Sequence, residues 1–454
     1  MTRIMQTLRS LFVVTFTVVA TFSLRAGPPP AGFTALFNEK DLSGWRGGDT
    51  FDHRKLLAMT NEDREKKIAE WNKTMRAHWS AQGEELVNDG KGAYATTEKD
   101  YGDFELFIDY KTVPAADSGI YLRGVPQVQI WDYTQDDGGK MGRTKGSGGL
   151  WNNSPGAPGK DPLVLADKPL GEWNNFRILM VGSRVSIWLN EKLVVDHAIL
   201  ENYYDKQDKT LKKDQWRPVP ARGPIQLQTH GGEIRWRNIF LREIPSDEAN
   251  RILTAKGARG LQPIFNGRDF DGWDGPVANY EVKDGAIVCK PGKGGCIYTR
   301  EQYANFTVAF QFKLPPKGNN GLAIRYPGDP AGRVDTAYHG MCELQILDDN
   351  YKGIDPKQAH GSAYGMVAAH RGYQHPIGDW NYQEVTVKGP TIKVELNGTV
   401  ILDADVSKLT EADFIHKSKD GKPVHPGLNR TEGHFGFAGH GDAVAFRDVR
   451  IKRL

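Results

Sequence analysis

Short runs of alternating apolar and polar residues recur along the chain. Examples are FELFIDYK, SGIYLRG, FRILMVG, RVSIWLN, IKVELNG and EIRWRNIFL, with turn residues between them. Successive side chains of a strand point to opposite faces, so this alternation predicts strands with one buried face. The helices that would cross over between parallel strands are missing from the pattern. The chain is therefore predicted to be all-β, built as two-sheet sandwiches or jelly rolls.

The pattern repeats itself once. Residues 33–45, 101–124, 171–180 and 223–239 recur, in the same order, as residues 261–273, 303–326, 378–387 and 433–449. Four blocks in one order predict a duplicated domain of about 200 residues, which is an ordinary domain size. We place domain one at residues 32–244 and domain two at residues 260–454.

Two segments interrupt the strand pattern. Residues 245–259 are polar and punctuated by glycine, which predicts a linker with one helical turn. Residues 48–78 are predicted to form a helical insertion in domain one, with Thr60 or Asn61 as the N-cap and acidic residues in the first turn. Its apolar residues at helical spacing are Ile68, Trp71 and Met75. Such a stripe indicates packing on the sheet rather than a ligand site.

The first 26 residues have the pattern of a secretory signal peptide. Arg3 and Arg9 provide a basic start, and the apolar residues 11–24 form a stretch shorter than the roughly 18 residues that a membrane span needs. Ala26 provides a small residue near the cleavage point. We therefore predict a periplasmic or secreted protein with no membrane span after cleavage, and an uncleaved anchor is the alternative.

Composition and charge remove several classes of partner. The formal net charge is +3 with 25% charged residues, so the sequence has no basic stripe that would bind nucleic acid. No glycine-rich phosphate loop follows a strand, and nucleotide binding is not expected. Of the three cysteines, Cys289 and Cys296 flank a predicted hairpin turn and could be bridged or free, while Cys342 would remain unpaired.

Alternation also assigns polar residues to one face of domain two. Every second residue of a strand faces the same side, and we call the two alternating sets of positions the two parities. Leu344 and Ile346 have the parity of core residues, so residues of the other parity lie on the opposite face. In domain two these residues are Arg325, Glu343, Gln345, His434 and His440. A polar face of a jelly roll is suited to a sugar. A solvated network of salt bridges is the alternative.

The same parity in domain one selects a different set of side chains. They are Tyr121, Arg123, Gln127, Gln129, Trp131, Gln226, Gln228 and His230. Gln127 stands where domain two has Glu343, and an amide cannot take up a proton, so domain one is expected to lack a base at this position. Trp131 would offer a flat ring on which a sugar could stack. Domain one is therefore expected to bind, and Glu343 to react.

The strand CELQILD lacks the arrangement of an ordinary retaining glycosidase. Those enzymes hold two carboxylates about 5 Å apart, whereas the outer positions here are Glu343, Gln345 and Leu347. Four residues could in principle collect a divalent metal, although their spacing fits no standard zinc pattern. They are Glu343, His360, His370 and His375.

Several short motifs resemble the 3-keto-disaccharide hydrolase domain family, and both copies carry the pattern. The motifs are FNGRDFDGW, NNGLAIRY, ELQILDD, HGSAYG, GDWN, LNG and GHGDAVAFRDVRIKRL. The resemblance implies concanavalin-like or laminin-G-like jelly rolls and action on sugars oxidised at C3, by hydrolysis or by elimination and hydration. Domain one departs from the family pattern at Gln127 and at GGLWNN, which replaces the GSAYG type of loop. Independent catalysis by domain one is therefore not expected.

This chemistry needs only one general base. Under the resemblance Glu343 is the expected base, and His360 or His440 is either the alternative base or the acid that assists departure of the leaving group. Arg325 and Gln345 would hold the keto oxygen and nearby hydroxyls. A bound divalent metal could replace Arg325 in stabilising an enolate.

Further residues are expected to contact the sugar. Asp348 and Tyr364 would shape the rim of the site in domain two. The other candidates are His434 in domain two and Arg123, Gln127, Gln129, Trp131 and His230 in domain one. Two other functions remain open at this point: a lectin-like glycan-binding protein without catalysis, and an ordinary glycoside hydrolase.

Overall fold

The structure is a computed structural model that describes residues 27–329, 337–416 and 425–454. The predicted signal peptide, residues 1–26, lies outside the described residues. Within the described part, the chain forms two tandem jelly-roll-like sandwiches, each with an eight-stranded and a five-stranded sheet. The predicted all-β tandem fold is confirmed.

Domain one contains the first thirteen strands and three of the helices among these residues. Its strands are β1 Thr34–Ala35, β2 Trp45–Gly48, β3 Trp79–Gln82, β4 Glu85–Asn88, β5 Tyr94–Thr97, β6 Phe104–Thr112, β7 Asp117–Leu122, β8 Val125–Trp131, β9 Asn174–Val181, β10 Arg184–Leu189, β11 Lys192–Ile199, β12 Gln226–Leu227 and β13 Ile234–Glu243. Its helices are α1 His53–Leu57, α2 Asn61–His78 and α3 Tyr203–Gln207.

Helix α4, Ser246–Lys256, precedes domain two. The strands of domain two are β14 Gln262–Pro263, β15 Trp273–Asp274, β16 Tyr280–Lys283, β17 Ala286–Cys289, β18 Gly295–Tyr303, β19 Phe306–Lys313, β20 Asn319–Tyr326, β21 Cys342–Leu347, β22 Asn381–Lys388, β23 Thr391–Leu396, β24 Thr399–Asp405, β25 Gly433–Gly439 and β26 Ala445–Arg453.

The two domains have the same strand order. In domain one the larger sheet runs β11-β10-β9-β6-β13-β4-β3 with β1 beside β13, and the smaller sheet runs β2-β5-β12-β7-β8. In domain two the orders are β24-β23-β22-β19-β26-β17-β16 with β14 beside β26, and β15-β18-β25-β20-β21. Each strand of one domain therefore has a counterpart in the other.

Each core lies between the two sheets of a domain. Alternate apolar residues of the facing strands are buried there, as the strand pattern predicts. In domain two, Phe437 of β25 stacks on Phe446 of β26 with ring centroids 3.9 Å apart. This contact joins the smaller sheet to the larger one and leaves the other face of the smaller sheet for polar residues.

Helix α2 closes one side of the sandwich in domain one. Thr60 is its N-cap, because its hydroxyl accepts the backbone N–H of Asp63 at 3.2 Å. Met75 is fully buried in the core. The edge strand β2 meets the helix directly, and the Gly47 N–H donates to Asn72 Oδ1 at 2.6 Å. The insertion therefore packs against a strand edge rather than across the polar face.

The segment between the domains is more ordered than its polar composition suggested. Helix α4 has 11 residues, instead of the single turn expected for a linker. Ala249 and Leu253, one helical turn apart, pack against Val181 of domain one and Tyr382 of domain two. This short apolar stripe docks both domains onto the helix.

Polar contacts also join the domains directly. Arg184 of β10 pairs with Glu395 of β23, with Nε 2.9 Å from Oε1. A cavity of about 560 Å³ lies between the domains, and its lining includes Arg222, Tyr373, His375 and Asn397. In the described part of the chain, no helix is long and apolar enough to cross a membrane.

Candidate active site

The candidate site lies on the outer face of domain two, which we define as the face of its five-stranded sheet that points away from the core. Strands β20 and β21 pair with Ala323 opposite Glu343 and Gly321 opposite Gln345. Leu344, between the two polar residues, is buried in the core. Glu343 and Gln345 therefore lie on the outer face, as the alternation predicts.

Small residues form the floor of this face beside Glu343. They are Gly321 and Ala323 of β20 and Gly436 and Ala438 of β25. A Cβ atom on Gly321 would come within 2.6 Å of Glu343 Cδ, so the acidic side chain lies directly over this glycine. The absence of a side chain at residue 321 allows Glu343 to lie across the neighbouring strand.

Part of the floor is covered. A 3-10 turn that begins at Ala337 packs on the outer face, where Ala337 joins an apolar cluster with Ala323 and Tyr298. The Glu343 side chain is 7% exposed, whereas the His440 side chain is 49% exposed. The site therefore opens to solvent at its His440 end.

Glu343 and His440 form a carboxylate–imidazole pair. His440 Nε2 lies 3.7 Å from Glu343 Oε1. Interaction with the Glu343 carboxylate raises the pKa of His440, and Asp442 adds a smaller attraction while burial opposes both. The structure thus places a carboxylate and an imidazole side by side on the outer face.

Gln345 continues the polar line along β21. Its Nε2 donates to Asn319 Oδ1 at 2.9 Å, and the Asn319 N–H donates to Asp442 Oδ2 at 3.0 Å. Gln345 Oε1 is buried and has no hydrogen-bond partner among the described residues. The amide is therefore held in place beside Glu343 with one acceptor oxygen unused.

Tyr364 reaches the same face from the loop HGSAYG. The Tyr364 N–H donates to the Glu343 carbonyl oxygen at 2.9 Å, and Leu344 bridges to Ala363, so this loop extends the sheet beyond β21. The Tyr364 hydroxyl accepts a hydrogen bond from Gln358 Nε2 at 2.9 Å. Tyr364 thus lies beside Glu343, consistent with the expected place at the rim.

His434 stands at the other end of the outer face. Its Nδ1–H donates to the Thr299 carbonyl oxygen at 2.6 Å, and its ring centroid is 5.0 Å from that of Tyr298. Sequence reasoning overlooked Tyr298 and Asn319. Strand alternation could have identified Tyr298, because its neighbour Ile297 belongs to the core.

The expectation that Arg325 shares this face is wrong. A β-bulge after Ala323 ends the regular alternation, and Arg325 itself has a left-handed backbone with φ of 49°. Its buried guanidinium donates to the carbonyl oxygens of Ala304 and Arg430 at 2.8 and 2.9 Å. Arg325 therefore fixes two loops at the end of β20 instead of facing Glu343.

Arg123 has the same structural role in domain one, so its predicted contact with sugar is also wrong. Its backbone is left-handed, with φ of 53°. Its Nε donates to the Gly102 carbonyl oxygen at 2.9 Å, and its second terminal nitrogen pairs with Asp103 Oδ1 at 2.7 Å. The side chain is 1% exposed and cannot meet a ligand on the outer face.

His360 lies between the two sheets of domain two, away from the outer face. This position excludes its predicted role as the catalytic acid or as the alternative base. Its Nδ1 accepts the Leu347 N–H at 3.3 Å, and its Nε2 is 3.0 Å from Gln383 Oε1. The ring stacks on Phe312 of the larger sheet. Burial lowers the pKa of His360 to about 4, so the ring is neutral at pH 7. Ser147 Oγ accepts the equivalent N–H in domain one.

Asp348 is also a structural residue rather than a part of the rim. Its Oδ2 accepts the Lys317 N–H and its Oδ1 accepts the Asn350 N–H, both at 2.8 Å. In domain one, Asp132 Oδ2 accepts the Ala115 N–H at 2.8 Å. Both carboxylates close the turn at the start of a neighbouring strand, and Asp348 is only 2% exposed.

Trp131 does not provide the stacking surface predicted for domain one. It is only 4% exposed. The Arg143 guanidinium lies over its ring at 5.2 Å, and Trp151 meets it edge to face at 5.8 Å. A sugar could not stack on this ring without displacing these side chains.

The other predicted residues of domain one form a connected line. Gln127 Nε2 donates to Gln129 Oε1, and Gln129 Nε2 donates to Asp117 Oδ1 at 2.8 Å. His230 Nδ1 lies 3.1 Å from Asp117 Oδ2. Both glutamines are buried, and His230 is the exposed member of the line.

The histidines proposed as metal ligands do not converge. In residues 27–329, 337–416 and 425–454, no group of three or more His, Cys, Asp or Glu side chains is placed to hold a metal ion. His375 Nδ1 is 2.8 Å from the Trp380 carbonyl oxygen, and the His370 N–H donates to Ile401 at 2.9 Å.

The cysteines are all free thiols in buried positions. Cys289 packs in the core of domain two, whereas Cys296 belongs to the apolar cluster of the outer face. The sequence left a bridge and free thiols open, and the thiols are free. The predicted hairpin turn is not formed, because β17 belongs to the larger sheet and β18 to the smaller one.

The fold and this face define a class: tandem jelly-roll proteins with a polar outer face that holds a carboxylate and an imidazole. The chain belongs to the family of 3-keto-alpha-glucoside-1,2-lyase-like domains, whose family model matches residues 32–242 and 260–452. The resemblance noted in the sequence is thereby confirmed for both domains.

Individual relatives are more distant. A 3-keto-disaccharide hydrolase of Bacteroides thetaiotaomicron is 25% identical over 248 residues, which cover 47% of this chain and 86% of that protein. A solved structure from Parabacteroides distasonis, named "putative glycosyl hydrolase", is 28% identical with a TM-score of 0.37, over 43% of this chain and 94% of that one. A carbohydrate-binding module of Bacillus subtilis is 15% identical with a TM-score of 0.25, over 40% and 95%. The family and the curated relative's name support a function of the 3-keto-disaccharide hydrolase kind.

Proposed function

We propose that domain two cleaves 3-keto-glycosides or 3-keto-disaccharides with Glu343 as the single general base. The observation that carries the proposal is the Glu343–His440 pair, held over a glycine on the outer face. Family membership of both domains supports the substrate class.

The chemistry of a 3-keto sugar suits such a pair. The ketone at C3 acidifies the hydrogen on C2, and Glu343 removes it as a proton. The electrons of the C2–H bond form a C1=C2 double bond, while the C1–O1 bond breaks and its electron pair leaves with O1. His440 protonates the departing oxygen. Addition of water across the double bond then gives the free 3-keto sugar, so that the net reaction is hydrolysis.

Neighbouring polar groups would bind the sugar. Gln345 and Tyr364 flank Glu343. The Tyr364 hydroxyl is proposed to donate to the keto oxygen, which stabilises the enolate as charge develops there, and Gln345 Oε1 to accept from an adjacent sugar hydroxyl. Arg325 and His360 take no part in this scheme, because both are committed to structural contacts. A divalent metal is not required for any step written here.

The test is turnover of a 3-keto-glucoside with a chromogenic aglycone, compared with its unoxidised parent. We expect release from the keto form alone, and a loss of at least about 100-fold in Glu343→Gln, because general bases contribute about 10²–10⁴-fold. Glu301→Gln is the control, since this carboxylate of the same sheet pairs with Arg453 and is 71% exposed.

Three outcomes would contradict the proposal. Release from the unoxidised parent would indicate an ordinary glycoside hydrolase. Binding of either sugar without release would indicate a glycan-binding protein. Full activity in Glu343→Gln would remove Glu343 from the role of base.

We also propose that the protein acts in the periplasm or outside the cell. The signal-like pattern of residues 1–26 supports this location. N-terminal sequencing of the exported protein should find a start near Gly27, and a retained N-terminus on membrane-bound protein would instead support the uncleaved anchor.

A further inference from the structure

Domain one contains a carboxylate and an imidazole at the places of the proposed active-site pair, but the carboxylate comes from a different strand. In β7 and β8, Gly119 lies opposite Gln129, just as Gly321 lies opposite Gln345 in domain two. From this register, three positions of domain one can be matched to domain two. Asp117 matches Asn319, Gln127 matches Glu343, and His230 matches His440.

The two domains have exchanged an acid and an amide across neighbouring strands. Domain two has the amide Asn319 on β20 and the acid Glu343 on β21. Domain one has the acid Asp117 on β7 and the amide Gln127 on β8. The matched pair of positions therefore keeps one carboxylate in each domain, and the loss of Glu343 in domain one does not mean the loss of a base.

The hydrogen bond that supports the exchanged residue is the same in both domains. Gln129 Nε2 donates to Asp117 Oδ1 at 2.8 Å, and Gln345 Nε2 donates to Asn319 Oδ1 at 2.9 Å. In domain one this bond orients a carboxylate instead of an amide, so Asp117 is fixed in direction before any ligand binds.

The carboxylate–imidazole pairs also have similar access to solvent. Asp117 Oδ2 lies 3.1 Å from His230 Nδ1, with side chains 11% and 60% exposed. Glu343 and His440 are 7% and 49% exposed. In each domain a buried carboxylate is reached past an exposed imidazole, which is the arrangement that a substrate entering from solvent would need.

We propose that domain one holds a second acid–base site, in which Asp117 replaces Glu343 as the base and His230 replaces His440. The proposal rests on the function proposed for domain two and assigns the same substrate class, a glycoside oxidised at C3. Domain one then acts on its own substrate molecule rather than only binding sugar.

The reaction proposed for domain one makes and breaks the same bonds as the reaction proposed for domain two. Asp117 takes the proton from C2, the C2–H electrons form the C1=C2 bond, and the C1–O1 electron pair leaves with an oxygen that His230 protonates. Arg143 lies 3.9 Å from Asp117 Oδ2 and adds a positive charge near the developing enolate. Burial raises the pKa of Asp117, while His230, Gln129 and Arg143 act against it.

The second site has less room than the first. Tyr121, Gln226 and Gln228 occupy the floor positions that Ala323, Gly436 and Ala438 hold in domain two. The Tyr121 hydroxyl oxygen lies 2.7 Å from Thr50 Oγ1, and this hydrogen bond holds the tyrosine ring in place on the floor. We therefore expect a slower site that accepts a single oxidised sugar ring with its leaving group directed to solvent.

The test uses the full chain and a small chromogenic 3-keto-glucoside. In a Glu343→Gln background, domain one should supply the residual rate. Adding Asp117→Asn should lower that rate at least about 10-fold further. His230→Gln is a second variant at an exposed position that should fold normally and should also lower it. Asp161→Asn, an exposed carboxylate paired with Lys145, is the matched control in the same domain.

The outcomes separate this proposal from the one on which it rests. A wild-type protein that releases nothing from the keto-glucoside would overturn the function itself. An active wild-type protein whose Glu343→Gln residual rate is unchanged by both Asp117→Asn and His230→Gln would overturn the second site alone. Thermal unfolding of each variant checks that a lost rate does not reflect a lost fold.

Discussion

The two domains share every strand of the fold but differ on the outer face of the smaller sheet. Domain two has a floor of glycine and alanine and a carboxylate on β21. Domain one fills the same floor with Tyr121 and two glutamines, and its carboxylate, Asp117, is on β7. A duplicated fold thus serves as an internal control, because residues that keep identical backbone contacts in both copies are structural.

Arg325 and Asp348 meet that criterion. Each was expected to contact a sugar, yet each has a counterpart in domain one with equivalent backbone partners. Glu343, by contrast, has a different residue at its matched position, and so do three of the four floor residues, Ala323, Gly436 and Ala438. The differences between the copies therefore identify the positions that carry specific chemistry.

The largest effect should come from removing the buried arginines. Arg123→Gln breaks a buried ion pair with Asp103 and should cost about 3 kcal/mol in the free energy of unfolding. Arg325→Gln loses hydrogen bonds to neutral acceptors only and should cost about 2 kcal/mol. Urea unfolding of both variants measures this. If Arg325→Gln left stability unchanged and removed turnover, Arg325 would belong to the site after all.

A methyl group on Gly321 should show that the outer face of domain two accounts for most of the turnover. Gly321→Ala displaces Glu343 from its place over the glycine, and a misplacement of about 1 Å can cost about 100-fold in rate. Stability should change by less than about 1 kcal/mol, because a side chain rather than backbone must move. Gly119→Ala, at the matched position, should lower total turnover far less. Equal losses in both variants would contradict a main site in domain two.

His360 and Ser147 should prove equivalent as structural acceptors. His360→Leu leaves the Leu347 N–H unpaired in the core and should cost about 2 kcal/mol at pH 7, and Ser147→Ala should cost about 1 kcal/mol for the same reason. Turnover per folded molecule should stay near wild type in both. A His360→Leu protein that is stable but inactive would support the catalytic role predicted for His360 from the sequence.

The His360 variant should also change the response to acid. The pKa of His360 is lowered to about 4 in the folded state, so its contribution is fully present above the unfolded pKa near 6.5 and is lost as the pH falls through 4. The wild type should lose about 3 kcal/mol through this group over that interval. The stability deficit of about 2 kcal/mol in His360→Leu should therefore vanish and reverse by about 1 kcal/mol at a pH below 4. Unfolding curves at several pH values can measure this.

The smallest effect concerns the charge of His440. Because the Glu343 carboxylate is the main cause of its raised pKa, Glu343→Gln should move its titration to lower pH. The ion pair stabilises the fold fully below the unfolded pKa of His, and this contribution is lost as the pH rises through the raised folded pKa. Titration of His440 by NMR in both proteins tests this. An unchanged midpoint would mean that the pair is not formed.

Much of the fold could be read from the chain because strands impose a period of two. The duplication, the strand pattern and the exchange of Glu343 for Gln127 all follow from residues close together in sequence. Alternation also placed Glu343 and Gln345 on the outer face. It misplaced Arg325, because a bulge adds a residue and shifts the parity beyond it.

The sequence by itself determined the repeated all-β architecture and the parity of each regular strand. Only the tertiary structure decided that His360 turns inward, that α4 docks both domains, and that Asp117 meets His230. The physical reason is that local periodicity fixes which face a side chain occupies. Its partner comes from strands far apart in the chain, and their register is set by the packing of the whole sheet.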